Sequence, residues 1–432
     1  MSHDRRAHGI AAERARRRGR TLPALLLAGL VAVSAGCDSI LSVDLPGKVP
    51  ADSLSNPSLA NTLVSGVVAD FECAYDDYTF GSASRSDVTT PASGNAVERR
   101  WALNNITSSF DNYVNGTCEG AGYGIWTTLQ TARFQAENVF QRLDAFSESE
   151  VPDRTSKMAT VSAYAGYAYT LFGEGFCKVR FDGGPIQEPL AALQTAEERF
   201  TRAIDLAGQS GNQDALNMAY VGRARARLDM GDAAGAASDA ANVPDGYVKM
   251  ATRDGPSPAV QRRWNKGEYQ FAEFGHVTIA PDWRDLQWKG VADPRVPVVN
   301  TGRAGFDGVT PLWVTTKYPE RSSDIPLATW TEAQLIIAEA EGGQAAVDII
   351  NELHSRAGLP SYDPSTDTTP GPTNDEITNH VIQERSRALF MQGGERINDM
   401  LRFGIPFPSG TDPVGNPYGN TTCYPLPDVE KG

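Results

Sequence analysis

The residues in this chain best suited to chemistry are aromatic. Trp264, Trp283, Trp288 and Trp313 are concentrated between Val243 and Pro326, where helical periodicity fades and Gly and Pro are frequent. Flat aromatic faces bind sugar rings and apolar side chains by burying area without demanding charge, and neighbouring amides and carboxylates then fix orientation. A long irregular insertion in a compact domain is usually functional. The candidates for ligand contact are Trp101, Trp283, Trp288 and Trp313, with Tyr75 and Tyr78 behind them. Tyr75, Tyr78 and Trp101 flank a Gly- and Ser-rich segment, Gly81 to Asn95, expected to be a loop. For each aromatic residue the competing reading is that it packs the loops onto the helices.

Catalytic signatures are missing from the sequence. Beyond the first 36 residues the histidines are His276, His354 and His380, with no HExxH, no GxSxG and no glycine-rich phosphate loop. Two carboxylates would suffice for glycoside hydrolysis. The acidic residues on recognisable helices, however, sit at solvated or packing positions, so no catalytic residue is assigned and the chain is read as a non-enzyme. No cofactor or metal is assigned either: no Cys/His spacing suggests zinc and no EF-hand loop suggests calcium.

The elements that must position these groups begin after a leader. Arg5, Arg6, Arg14, Arg16, Arg17, Arg18 and Arg20 precede an apolar run, Leu22 to Val33, that is shorter than the roughly 20 residues needed to span a bilayer. Residues 1–36 therefore read as a secretory signal. It ends in Val33-Ser34-Ala35-Gly36-Cys37, small residues before a cysteine as in a bacterial lipobox, which makes Cys37 the expected lipidation site. Residues 37–57 form the expected anchor and tether, polar with prolines at 46, 50 and 57.

Removing the leader's seven arginines and two acids from the chain's 39 basic and 53 acidic residues leaves a net charge of −19. Such a surface repels phosphate backbones, which excludes nucleic acid as a partner. Four further cysteines, Cys73, Cys118, Cys177 and Cys423, permit two disulfides by three pairings in an exported chain. Cys73 with Cys118 and Cys177 with Cys423 is the preferred pairing, and four buried thiols are the alternative. The first bridge would close a loop worth roughly 4 kcal/mol on the chain-entropy account.

Helical repeats supply the scaffold. Ala196, Phe200 and Ala203 have the A-x3-F-x2-A spacing of the second helix of a tetratricopeptide repeat, and Ala233, Ala237 and Ala240 repeat it. Small residues at these positions let antiparallel helices stack into a solenoid. Helices are expected over about 122–244 and 329–404, with the loop-rich insertion over about 245–326 between them. The last long stretch, Thr373 to Gly404, has Ile377, Val381, Ile382, Leu389 and Phe390 at helical spacing. Thr373 and Glu376 have capping-box spacing. A break at Gly393-Gly394 should lead to a short helix with Ile397, Met400, Leu401 and Phe403 inward.

Glu384, Arg385, Ala388, Leu389, Phe390, Gly394, Arg396, Asp399, Arg402 and Gly404 follow a pattern like ER-x-x-E-L-F-x-E-G-x-R-x-x-D-x-x-R-x-G. This resembles the carboxy-terminal signature of the SusD/RagB family of outer-membrane nutrient-binding lipoproteins. Ala388 and Gly393 depart from it, standing where the family has acidic residues. MATVSAYAGYAYTLFGEGF, the Asp293-Pro294-Arg295 element and the terminal YPLPDVE are similar to further family elements. Asp293 and Arg295 read as a structural pair rather than a binding site.

The resemblance implies a mainly α, tetratricopeptide-like fold over residues 58–432. It implies a lipid-anchored protein of the outer membrane, facing the exterior, that binds an oligomeric glycan or peptide and passes it to a SusC-type TonB-dependent barrel. The alternative is an envelope-anchored repeat scaffold that binds only proteins. Exposed, clustered tryptophans would favour nutrient capture and buried ones the scaffold.

Overall fold

The computed structural model describes residues 55–255 and 258–432, so the expected signal, the lipidated Cys37 and most of the tether lie outside the described residues. Two helices form the centre. α1 (Ala60–Arg85) is buried on every side from Phe71 to Arg85. It absorbs Gly81 to Arg85, the first residues of the expected loop. α5 (Arg154–Gly175) is buried almost continuously from Met158 onward, its Ala and Tyr residues alternating between close approach and gap filling. Neither helix is apolar all round, since α1 buries Glu72, Asp76, Asp77 and Arg85 and α5 buries Glu174, so neighbouring elements surround them and partner these groups.

The chain winds outward from this centre. Two short helices, α2 (Ala96–Ala102) and α3 (Asp111–Asn115), precede α4 (Ile125–Asp144), which packs on both α1 and α5. Then α6 (Pro189–Ser210) packs on α5, α7 (Gln213–Asp229) on α6, and α8 (Ala233–Ala240) on α7. α9 (Trp330–Glu341), α10 (Gly343–Arg356), α11 (Glu376–Ala388) and α12 (Glu395–Phe403) complete the stack.

The repeat spacing has a direct steric basis: the Phe200 ring lies between Gly166 of α5 and Gly222 of α7. A Cβ at Gly166 would fall 2.6 Å from that ring, and one at Gly222 2.3 Å. In α8 the buried residues are Ala236, Asp239 and Ala240; of the expected Ala233, Ala237 and Ala240 only Ala240 is buried, and the inward face shifts toward Ala236 and Asp239. The shift lets Asp239 accept from Arg223 and Arg227 of α7.

Apart from β1, which lies between α1 and α2, the strands belong to the insertion between α8 and α9, and every sheet is two-stranded and antiparallel. β1 (Thr89–Pro91) pairs with β3 (Val277–Ile279), β2 (Val248–Ala251) with β8 (Ile325–Thr329), β4 (Gln287–Trp288) with β5 (Val291–Ala292), and β6 (Val298–Ala304) with β7 (Pro311–Thr315). Disulfides join Cys73 to Cys118 and Cys177 to Cys423, with Cα separations of 5.8 and 5.1 Å. Among the described residues no helix is long and apolar enough to cross a membrane.

The N-cap of α11 is Asp375, whose carboxylate accepts from the amides of Ile377 and Thr378, rather than the expected Thr373. Thr373 instead pairs with Asn379, and Glu376 reaches back to the amide of Thr369. The break at Gly393 and Gly394 is as expected, both residues having positive φ.

Candidate functional site

The polar residues of the carboxy-terminal segment turn inward. Arg225 of α7 is held bidentately by Glu174 at 2.5 and 2.6 Å, pairs with Glu395, and lies 3.5 Å from Glu332. It also donates to the carbonyl of Gly393 at 3.0 Å. Burial raises the Glu332 carboxyl to about 8, the Glu395 charge adds to this, and Arg225 opposes it. Arg385 and Arg402 share Glu339, Arg402 lies 3.2 Å from Asp229, and Arg396 donates to Asp87 at 2.8 Å. Arg295 grips Asp293 at 2.9 and 2.8 Å and also binds Glu384, so the pair reads as structural. These charges fix the stack and leave little for a ligand.

Three of the expected ligand contacts are core residues. Trp101 is fully buried, its indole N–H donating to Asn112 at 2.7 Å and its ring against Tyr123 and Tyr424. Tyr75 donates to the carbonyl of Pro326 at 2.6 Å, and Tyr78 packs against Tyr424. Both tyrosines are buried, because α1 is central rather than peripheral. Trp288 is half-buried and donates to the carbonyl of Pro360 at 2.9 Å, which pins the β4–β5 hairpin onto α10 and α11. Trp313, on β7, is half-buried beneath Arg284. The tryptophans therefore form no exposed cluster.

Trp283 alone of the six lines a cleft. This cleft, about 420 Å³, lies between the insertion, the loop 370–372 and α11. Trp283 is 7 % exposed, stacked on Phe390 at 5.6 Å with Arg396 at its other side. Asp282, Asn379, Gln383 and Arg387 stand around it. Helical spacing explains why: Asn379, Gln383 and Arg387 are successive turns of α11, on the side opposite the inward charges.

Arg387 is 9 % exposed, and burial pulls its pKa down. Among the described residues its guanidinium makes no hydrogen bond; the nearest carboxylate, Asp293 at 3.9 Å, is already bound by Arg295. A guanidinium has five donors to place. An apolar ring, an amide, a carboxylate and a guanidinium without a protein hydrogen bond around one cleft suit a polyhydroxylated or carboxylated ligand.

A second aromatic surface escaped the sequence reading. Tyr269, in a turn of π-helix, Gly267–Glu273, is part of a row of rings: Trp264 to Tyr269 at 5.0 Å, Tyr269 to Phe274 at 5.0 Å, and Phe274 to Phe306 at 6.3 Å. π-helical turns are often found at functional sites. Phe274 and Phe306 are 37 % and 48 % exposed, whereas Trp283 is buried and Trp288 and Trp313 are half-buried. His276 supports Phe306 at 4.6 Å; burial lowers its pKa to about 4, so it is neutral at physiological pH.

The β1–β3 pair joins the two surfaces. Val88 and Ala280, bonded at 2.9 Å, lie at the cleft end beside Asp87 and Asp282; Ser93 and His276, 2.9 Å apart, lie at the other. From Asp87 to Ser93 an extended chain covers at most about 20 Å.

Comparison with known proteins agrees with the carboxy-terminal signature. The model of the SusD family matches residues 315–424. Among solved structures, the chain is similar to a SusD-like protein from Bacteroides fragilis, with a TM-score of 0.65 and 12 % identity over 88 % of this chain and 96 % of that one. It is similar to a SusD-like carbohydrate binding protein from Bacteroides vulgatus, with a TM-score of 0.63 and 14 % identity over 87 % and 96 % of the two chains. A third, surface glycan-binding protein A from Bacteroides thetaiotaomicron in complex with laminarihexaose, has a TM-score of 0.58 and 13 % identity over 87 % and 97 %. These likenesses establish the shared fold. No curated protein matches the chain in sequence.

Proposed function

We propose that this chain, a member of the SusD family by its match over residues 315–424, is a non-catalytic lipoprotein that binds an oligomeric glycan and delivers it to a SusC-type TonB-dependent barrel. The observation that carries the binding step is the cleft lined by Trp283, Asp282, Gln383 and Arg387, the last with no hydrogen-bond partner among the described residues. Relatives of the same fold described as carbohydrate binding, one holding laminarihexaose, support a glycan. The exposed Phe274 and Phe306 rings offer a second contact along an extended ligand. A peptide would use the same aromatic and guanidinium groups. Lipid on Cys37 would tether the chain while the helical stack docks on the barrel, and the barrel's partners would supply the energy of import.

Glycan and peptide arrays probed with wild type and Arg387→Gln test the binding step; a bound glycan whose signal falls in the variant supports it, and silence on both arrays removes it. A pull-down of full-length protein from solubilised envelopes tests delivery, with a stoichiometric TonB-dependent barrel as the expected result. The second reading, a protein-binding scaffold, is favoured by the burial of Trp101, Trp264 and Trp283. Recovery of soluble partners without a barrel would promote it.

A further inference from the structure

His354, His380 and Glu384 meet in the interior between α10 and α11. Each is 1 % exposed, and one donor atom from each lies within 4.8 Å of the others. His380 and Glu384 stand one turn apart on α11, and His354 comes from α10.

The hydrogen bonds fix where the protons are. The carbonyl of Pro360 lies 2.8 Å from His354 Nδ1 and also accepts from Trp288 Nε1. A carbonyl only accepts, so His354 carries a proton on Nδ1. Its Nε2 then faces Glu384 Oε2 at 3.1 Å. In a neutral imidazole that contact sets lone pair against lone pair, so a second proton or a cation must lie between them.

His380 separates the two possibilities. Its Nδ1 is committed to Thr369 Oγ1 at 2.7 Å, and its Nε2, buried, has no hydrogen-bond partner among the described residues. A second proton on His354 satisfies the contact with Glu384 and leaves His380 Nε2 orphaned, which buried polar atoms rarely are. One metal ion satisfies all three groups.

We infer that His354, His380 and Glu384 form a binding site for a divalent transition-metal ion of the zinc class. Two imidazoles and a carboxylate suit zinc and disfavour calcium, which takes oxygen ligands. The surroundings are those of a metal site: the second ring nitrogen of each histidine is engaged by a carbonyl or a hydroxyl, and the other Glu384 oxygen is held by Arg295. Asp293 matches the charge of Arg295, so Glu384 is not its only counter-ion. Tyr362 stacks on His380 at 3.8 Å and Trp288 covers both imidazoles, which closes the site. A metal there pins α10 to α11 behind the cleft, on the helix that presents Asn379, Gln383 and Arg387.

Full-length protein, purified in detergent and freed of metal by a chelator, is titrated with zinc chloride and cobalt chloride, by calorimetry and visible absorption. His380→Phe, which keeps the ring on Tyr362 but has no donor, is titrated in parallel, with calcium chloride as competitor. The expected result is one saturable equivalent of zinc per chain, a cobalt absorption band, a higher unfolding temperature with zinc, and loss of that equivalent in His380→Phe. Lack of a saturable equivalent in the wild type, displacement by calcium, or unchanged binding in a folded His380→Phe would overturn the inference. Should His380→Phe fail to fold, the wild-type titrations decide alone.

Discussion

The inward side of α11 and α12 and the cleft side of α11 are built from the same residue types and differ in how their charges are satisfied. Arg385, facing inward, pairs with Glu339 and lies 3.3 Å from Asp399. Arg387, two residues on, faces the cleft and makes no hydrogen bond among the described residues. Both are largely buried. A buried charge held between two carboxylates, as Arg385 is, locks a fold, and truncating its partner is costly. A guanidinium at a cleft wall with no protein partner keeps its donors free for water or a ligand.

The largest effect that separates the two sides is expected at Arg225. Arg225→Met leaves Glu174, Glu332 and Glu395 together without their cation, and should cost about 3–5 kcal/mol in denaturant unfolding. A loss below about 1 kcal/mol would mean that the inward charges do not lock the stack. Gly394→Ala comes next, at about 1–3 kcal/mol in the same measurement: its φ is 77° and its Cβ would lie 2.4 Å from the Tyr78 ring.

Within the inward network two glutamates should give opposite pH slopes. Burial raises Glu332 to about 8 in the folded state, above its unfolded value near 4.3. Its contribution is therefore present below that unfolded value and is lost as pH rises toward 8. Burial would also raise Glu339, but the guanidinium groups of Arg385 and Arg402 prevail and hold it below its ordinary value. Its contribution is present above about 4.3 and is lost as pH falls. Stability measured against pH should therefore lose its decline between about pH 4.3 and 8 in Glu332→Gln and part of its acid decline in Glu339→Gln. Identical slopes in both variants would contradict the assignment.

The smallest effects on stability belong to the ligand side. Phe274→Ser with Phe306→Ser should shift unfolding by only about 0.5 kcal/mol for each exposed ring, while weakening capture of an extended ligand in a binding titration.

The signature in Thr373 to Gly404 was legible because its charges hold the fold: Glu384, Arg385 and Arg396 pair with Arg295, Glu339 and Asp87 on other segments, and Asp399 lies 3.8 Å from Arg402 within it. The disulfide pairing and the Phe200 packing were legible for the same reason. Ligand contacts were not. Tyr75 and Tyr78 look available in sequence, but α1 runs through the centre of the molecule, and burial on that helix follows its tertiary neighbours rather than its own pattern. Phe274 and Phe306, 32 residues apart, meet only through the pairing of Phe306 with the Gly275 carbonyl, a contact that no local spacing announces. Arg387 reads as one more charge on a solvated face. The i, i+4 spacing of His380 and Glu384 was visible, but its partner His354 comes from another helix.

The most direct measurement is a calorimetric titration of wild type and Arg387→Gln with whichever oligosaccharide binds on the glycan array, each protein's unfolding temperature being recorded alongside. Loss of a charge-assisted hydrogen bond should weaken binding about tenfold or more. The account predicts that weakening with an unchanged unfolding temperature. Equal affinity in the two proteins, or a variant that loses affinity only because it unfolds, would contradict it.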